Sequence, residues 1–193
     1  MAELPQVTTA ETKQILQLAE DSLAVPGDLV ELGCYRGDTS LLLAQLLKKS
    51  SSDKKLWIYD SFEGLPPKSA FDQSVAGDNF QAGELKVSKR EVIERFKKAG
   101  LKVPVVKKGF FDQLDPFEDF PEQIAFAFLD GDLYDSISVS LKLVFPKMAE
   151  NGLIVVHDYN NPELPGVTKA VDEFLQNHPM KLENKASLAI LYI

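Results

Sequence analysis

The chain has 193 residues, 45% of them hydrophobic and 26% charged, which is apolar material enough for one buried core and too much for a disordered chain. Its 29 acidic and 21 basic residues leave a net charge of −8, the wrong sign for a surface that must neutralise a phosphate backbone, so no nucleic-acid partner is expected. One cysteine excludes an internal disulfide, no signal-peptide pattern opens the sequence, and no apolar run approaches the ~20 residues of a membrane helix, which implies a cytoplasmic protein with no membrane partner.

Residues 1–9 read as an N-terminal arm. Thr9-Ala10-Glu11-Thr12 then opens a helix whose apolar positions Ile15, Leu16, Leu18, Ala19 and Leu23 keep helical spacing up to Pro26-Gly27. This helix is placed to cover a sheet edge, and either to close a pocket or to pair two copies as a homodimer. Residues 27–40 form the stretch that orders the rest. A short apolar run ends at Glu31, a turn carries Gly33 and Gly37, and Asp38-Thr39-Ser40 starts an amphipathic helix. That is the first strand-turn-helix unit of a doubly wound sheet, where a ligand lies over the strand's carboxyl end. The dinucleotide pattern G-x-G-x-x-G is not met, because Tyr35 stands where its second glycine would be. A carboxylate at Glu31 suits a cationic ligand group, such as the amino group of a methionine moiety, and repels phosphates. Cys34 is a small apolar filler.

The second strand, residues 55–59, stops at Asp60, followed by Ser61-Phe62. An acid at that point, about twenty positions beyond the glycine turn, is placed to accept from the hydroxyls of a ribose. Phe62 packs either on an adenine or on the core. From Pro66 to Glu84 runs a long stretch rich in Pro, Gly, Ser, Asp and Gln, read either as a substrate lid or as a surface insertion. Ser88 caps a helix through Ala99, residues 103–106 form the third strand, and Gly109 at the rim allows close approach of an adenine.

The fourth strand, residues 124–129, is apolar throughout, as a central parallel strand covered on both faces should be. It runs into Asp130, Asp132 and Asp135, whose mutual repulsion calls for a cation among them. Ser136 opens a helix through Val144, and the fifth strand, residues 153–156, ends at His157-Asp158. Adjacent strands carry their end residues side by side, so Asp130 and Asp158 can share one hard ion such as Mg²⁺. A helix over residues 167–175 and a closing hairpin from Lys181 to Ile193 complete an α/β fold, and His178 reads as a surface residue.

Residues 27–40 resemble motif I of class I S-adenosylmethionine methyltransferases. With YDSFEGLP, FLDGDLYDS and GLIVVHDYN following in order and spacing, residues 27–175 resemble the macrocin O-methyltransferase (TylF/MycF-type) family. The resemblance implies one domain over residues 1–193, built on a doubly wound, mostly parallel seven-stranded sheet with helices on both faces and an antiparallel C-terminal strand. It implies S-adenosylmethionine as donor, Mg²⁺ or another divalent cation, and a hydroxyl of a small-molecule acceptor, a sugar or natural-product scaffold. The cofactor-binding set is then Glu31, Gly33, Tyr35, Asp60, Ser61, Phe62, Gly109 and Asp130. The metal set is Asp130, His157 and Asp158, and the catalytic pair is Asp130 and His157. His157 departs from the aspartate of well-known members; imidazole ligates Mg²⁺ poorly and suits a softer metal or service as a base. Two rival readings are a cofactor-binding protein without catalysis and a nucleotide-dependent oxidoreductase, the latter disfavoured by Tyr35 and Glu31.

Overall fold

The computed structural model describes residues 7–74, 77 and 79–193. Seven strands form one sheet: β1 (Asp28–Leu32), β2 (Leu56–Asp60), β3 (Val105–Lys108), β4 (Ile124–Leu129), β5 (Met148–Val156), β6 (Lys181–Lys185) and β7 (Leu188–Tyr192). Their order is β3-β2-β1-β4-β5-β7-β6, and only β7 runs antiparallel to its neighbours. Five helices cover it: α1 (Thr9–Asp21), α2 (Asp38–Lys49), α3 (Lys89–Lys98), α4 (Tyr134–Val144) and α5 (Pro165–Asn177).

Alternation along the strands divides the core between the two faces. Val30, Leu32, Ala127, Leu129, Ile154 and Val156 belong to the cluster shared with α4 and α5. Leu29, Ile58, Phe126, Phe128 and Val155 belong to the cluster shared with α1, α2 and α3. All of β4 is buried, and each large side chain there contributes about 1.5–3 kcal/mol. The parallel registers set Leu32 beside Tyr59 and Leu129, and Leu129 beside Val156, so these strands end at one level. Period two then sends Glu31, Asp60, Asp130 and His157 toward the α1–α3 side.

Several boundaries differ from the sequence reading for reasons that act over distance. Helix α1 is capped one residue early, by Thr8, which forms a reciprocal box with Glu11. Helix α4 begins at Tyr134 rather than Ser136, because the Asp72 carboxylate, 62 positions away, accepts the Tyr134 N–H at 2.7 Å. The third strand runs two residues later than expected, and β5 starts at Met148 with an irregularity where Asn151 takes φ 65°. His178 is half-buried, its ring stacked 4.4 Å from Phe174 rather than free at the surface. The long segment after β2 is closed at its base by Leu65 and Gly83 and pinned at Asp72, a buried residue. Val75, Ala76 and Asp78 of that expected lid lie outside the described residues. No helix among the described residues is long and apolar enough to cross a membrane.

Candidate functional site

A cavity of about 860 Å³ opens at the carboxyl ends of β1, β2 and β4, where the strand order reverses. Its walls are the turn at residues 33–36, residues 60–61, 64–68, 110–113 and 130–132, and Val7, Thr9 and Thr12 beside and on α1. Seven carboxylates line it, those of Glu31, Asp38, Asp60, Asp112, Asp130, Asp132 and Asp135, against the two cations Arg36 and Lys68.

The turn after β1 is shaped by Asp60. One carboxylate oxygen accepts the N–H groups of Cys34 at 3.0 Å and Tyr35 at 2.9 Å, and the other accepts the Phe62 N–H at 2.8 Å. These bonds hold Tyr35 in the left-handed region, at φ 44°. Gly33 is required on geometric grounds: its φ is +90°, and a Cβ there would lie 1.9 Å from the Asp130 carbonyl oxygen. Glu31 is buried and accepts a hydrogen bond from the Ser40 hydroxyl at the start of α2. Burial raises its pKa to about 8 against the opposing Ser40 bond, with the charges of Asp130, Asp60 and Asp38 reinforcing the shift. Burial thus favours the protonated form of Glu31 over the carboxylate read from the sequence.

Ser61 lines the cavity but also builds its own turn, donating to the Gly64 carbonyl at 2.7 Å. Phe62 is 4% exposed and packed in the core beneath α2 and α3, the second of its two readings, and not on the cavity wall where the family resemblance would put it. Gly109 is likewise off the wall, facing Leu114 and Gln113, while Phe110 and Phe111 take the lining position.

At the tips of β4 and β5, Asp130, His157 and Asp158 place one ligand atom each within 4.8 Å of one another, a group that could hold a metal ion. His157 Nδ1 lies 2.9 Å from Asp130 and 3.0 Å from Asp158, and its Nε2 faces Glu11 at 3.6 Å. Burial pulls the imidazole pKa down, but the Asp130 charge and the hydrogen bonds of both aspartates outweigh it and push it up to about 12. Two half-buried carboxylates thus favour a positive charge at that ring nitrogen. Asp130 is on the cavity wall, whereas His157 and Asp158 stand behind it.

Glu11 escaped the sequence reading as a site residue. The T-x-x-E pattern marks it as a helix cap, but nothing local signals that its carboxylate also reaches Ser187, 176 positions away, and His157. Burial alone would raise its pKa; the bonds from Ser187 and Thr8 and the His157 charge bring it down to about 2. Ser40 was read only as a helix start.

A sequence model described as the macrocin-O-methyltransferase (TylF) family matches residues 10–186. The demethyldecarbamoylnovobiocin O-methyltransferase of Streptomyces niveus is 33% identical over 172 residues, which are 84% of this chain and 64% of that protein. The mycinamicin III 3''-O-methyltransferase of Micromonospora griseorubida is 29% identical over 162 residues, 80% and 62% of the two chains. The chain thus spans less than two thirds of the length of these relatives. Among solved structures, the O-methyltransferase NovP superposes with a TM-score of 0.81 at 28% identity, covering 94% of this chain and 78% of its own. The calicheamicin methyltransferase CalS11, at 19% identity and TM-score 0.77 over 96% and 80%, shares the fold.

Proposed function

Because the chain belongs to the macrocin O-methyltransferase (TylF) family, we propose that it is an S-adenosylmethionine-dependent O-methyltransferase acting on a hydroxyl of a small molecule, a sugar or natural-product scaffold. The observation that carries this reading is that Asp130 belongs both to the cavity behind the Gly33 turn and to the group with His157 and Asp158, so donor and acceptor subsites share a wall. The whole chain acts as one domain in this reading, in the cytoplasm, with neither nucleic acid nor membrane as partner.

Each wall has a part. Asp60, fixed by three backbone bonds, has lone pairs left for the ribose hydroxyls, and the backbone at Gly33 and Tyr35 approaches the ligand closely. Glu31 gives up its proton to face the ammonium of the methionine part. Ser61 borders the ribose, and Phe110 and Phe111 offer the aromatic surface expected of Phe62. Methyl transfer is an in-line displacement, so the task of the chain is to align the acceptor oxygen and receive its proton. Asp130 does the first from the wall, held by His157 behind it at 2.9 Å, and Asp130 or Asp132 receives the proton. The donor set of two carboxylates and an imidazole fits a divalent cation, Mg²⁺ or another, which when bound would supply Lewis acidity to the acceptor hydroxyl. The excess of carboxylates in the cavity favours a neutral or cationic acceptor over a phosphorylated one. The segment at residues 66–84 serves as the lid on the acceptor side, hinged on its closed base and on Asp72.

Calorimetry of the purified chain with S-adenosylhomocysteine and with NAD⁺ tests the donor, followed by mass spectrometry of glycosides and phenols for gain of one methyl group. Binding of the first ligand alone, with turnover lost in Asp130→Asn, is expected. Absence of S-adenosylhomocysteine binding, or full turnover by Asp130→Asn, would overturn the reading.

A further inference from the structure

We propose that the cation site at the β4 and β5 tips prefers a borderline transition ion such as Co²⁺ over Mg²⁺, with His157 Nδ1 as a ligand and Glu11 facing its other ring nitrogen. This rests on the metal-assisted reading above. In a six-coordinate site with ligands at about 2.0–2.2 Å, neighbouring ligand atoms are about 3 Å apart. The separations of Nδ1 from Asp130 and Asp158, 2.9 and 3.0 Å, match two edges of such a site. The other ring nitrogen supplies an independent argument. Once an ion takes the Nδ1 lone pair, the remaining ring hydrogen sits on Nε2, and the carboxylate nearest to it is Glu11 at 3.6 Å.

Glu11 cannot swing away, because one oxygen accepts from Ser187 and the other from the Thr8 hydroxyl at 2.6 Å and the Thr8 N–H at 2.9 Å. The capping box would accept glutamine as well. An imidazole donor disfavours Mg²⁺, which seeks oxygen ligands, and favours ions later in the first transition row.

The test titrates metal-depleted protein with CoCl₂ and MgCl₂ by calorimetry and records proton NMR of the Co²⁺ form. Co²⁺ is expected to bind about tenfold or more tighter than Mg²⁺ and to give a strongly shifted exchangeable proton from Nε2–H. His157→Asp should abolish that signal and remove the preference. Glu11→Gln, which keeps the capping box, should weaken Co²⁺ by about 10–100-fold while helix content and S-adenosylhomocysteine binding stay unchanged. Equal affinity for Mg²⁺ and Co²⁺, or a Co²⁺ form without the shifted proton, would overturn the inference. So would wild-type protein that binds no ion; with donor binding and turnover intact, that outcome leaves methyl transfer standing and a protonated His157 in the place of the ion. Loss of donor binding with the ion preference intact would instead sink methyl transfer and keep this inference.

Discussion

At the donor end of the cavity, Asp60 gives its oxygens to three backbone N–H groups and Glu31 takes the Ser40 hydroxyl. At the other end, Asp130 and Asp158 close on a single imidazole, itself backed by the Glu11 carboxylate. Both ends are acidic and largely shielded from solvent, and both hang from strand tips at one level. The donors differ. Neutral donors satisfy a carboxyl group whether or not a ligand is present, so the first end keeps its shape on its own. The second is held together by charge, and its integrity depends on a proton or a metal ion between the two aspartates.

The hinge between the two ends is Gly33, and Gly33→Ala should have the largest effect. The added methyl would meet the Asp130 backbone at 1.9 Å, with no flexible side chain to give way, at a φ of +90°. The tips of β1 and β4 must part, at a cost of about 3 kcal/mol or more. Thermal unfolding should show a drop of several degrees, and both donor and ion binding should fall together. If only donor binding fell, the two ends would be less coupled than their shared Asp130 requires.

Next in size is Asp158→Asn, which acts on one end alone. Asparagine tolerates the left-handed φ of 60° found there and can keep a bond to the Asn161 amide, so the fold should stand. Losing one anion beside His157 should lower methyl transfer by about 10²–10³-fold, with S-adenosylhomocysteine affinity within about twofold of wild type. A parallel loss of donor affinity would show that the comparison of two separable ends is wrong.

How far these ends could be read from the sequence follows from the range of the forces that build them. The strands, their tips and the placement of Glu31, Asp60, Asp130 and Asp158 were legible, because apolar runs and period-two alternation are local signals and parallel neighbours end together. Phe62 was left between two readings and Gly109 was placed on the wall it does not line, because strand periodicity ends at Asp60 and Lys108 and the turns beyond set their own directions. The Asp72 cap on α4 and the reach of Glu11 to His157 were illegible, since each joins parts of the chain far apart and leaves no spacing to recognise.

A pH titration tests whether the donor end is satisfied by neutral bonding. Folded Glu31 keeps its proton up to about pH 8, whereas in the unfolded chain it titrates near 4.5. Between those values the folded state binds more protons. Its contribution is therefore complete below pH 4.5 and is lost as pH rises toward 8, at no more than about 1.4 kcal/mol per pH unit. Glu31→Gln has no proton to lose, so the stability difference between variant and wild type should be flat below pH 4.5, favour the variant increasingly up to pH 8, and level off above it. Asp60 and Asp132, also raised by burial, titrate in both proteins and largely cancel. Donor binding should run the other way: an ammonium beside Glu31 draws the proton off, so wild-type affinity for S-adenosylhomocysteine should climb from pH 6 to 8 while the variant stays level. A flat stability difference across that window would mean that Glu31 is charged in the ligand-free protein, and the donor end would then depend on charge as the other end does.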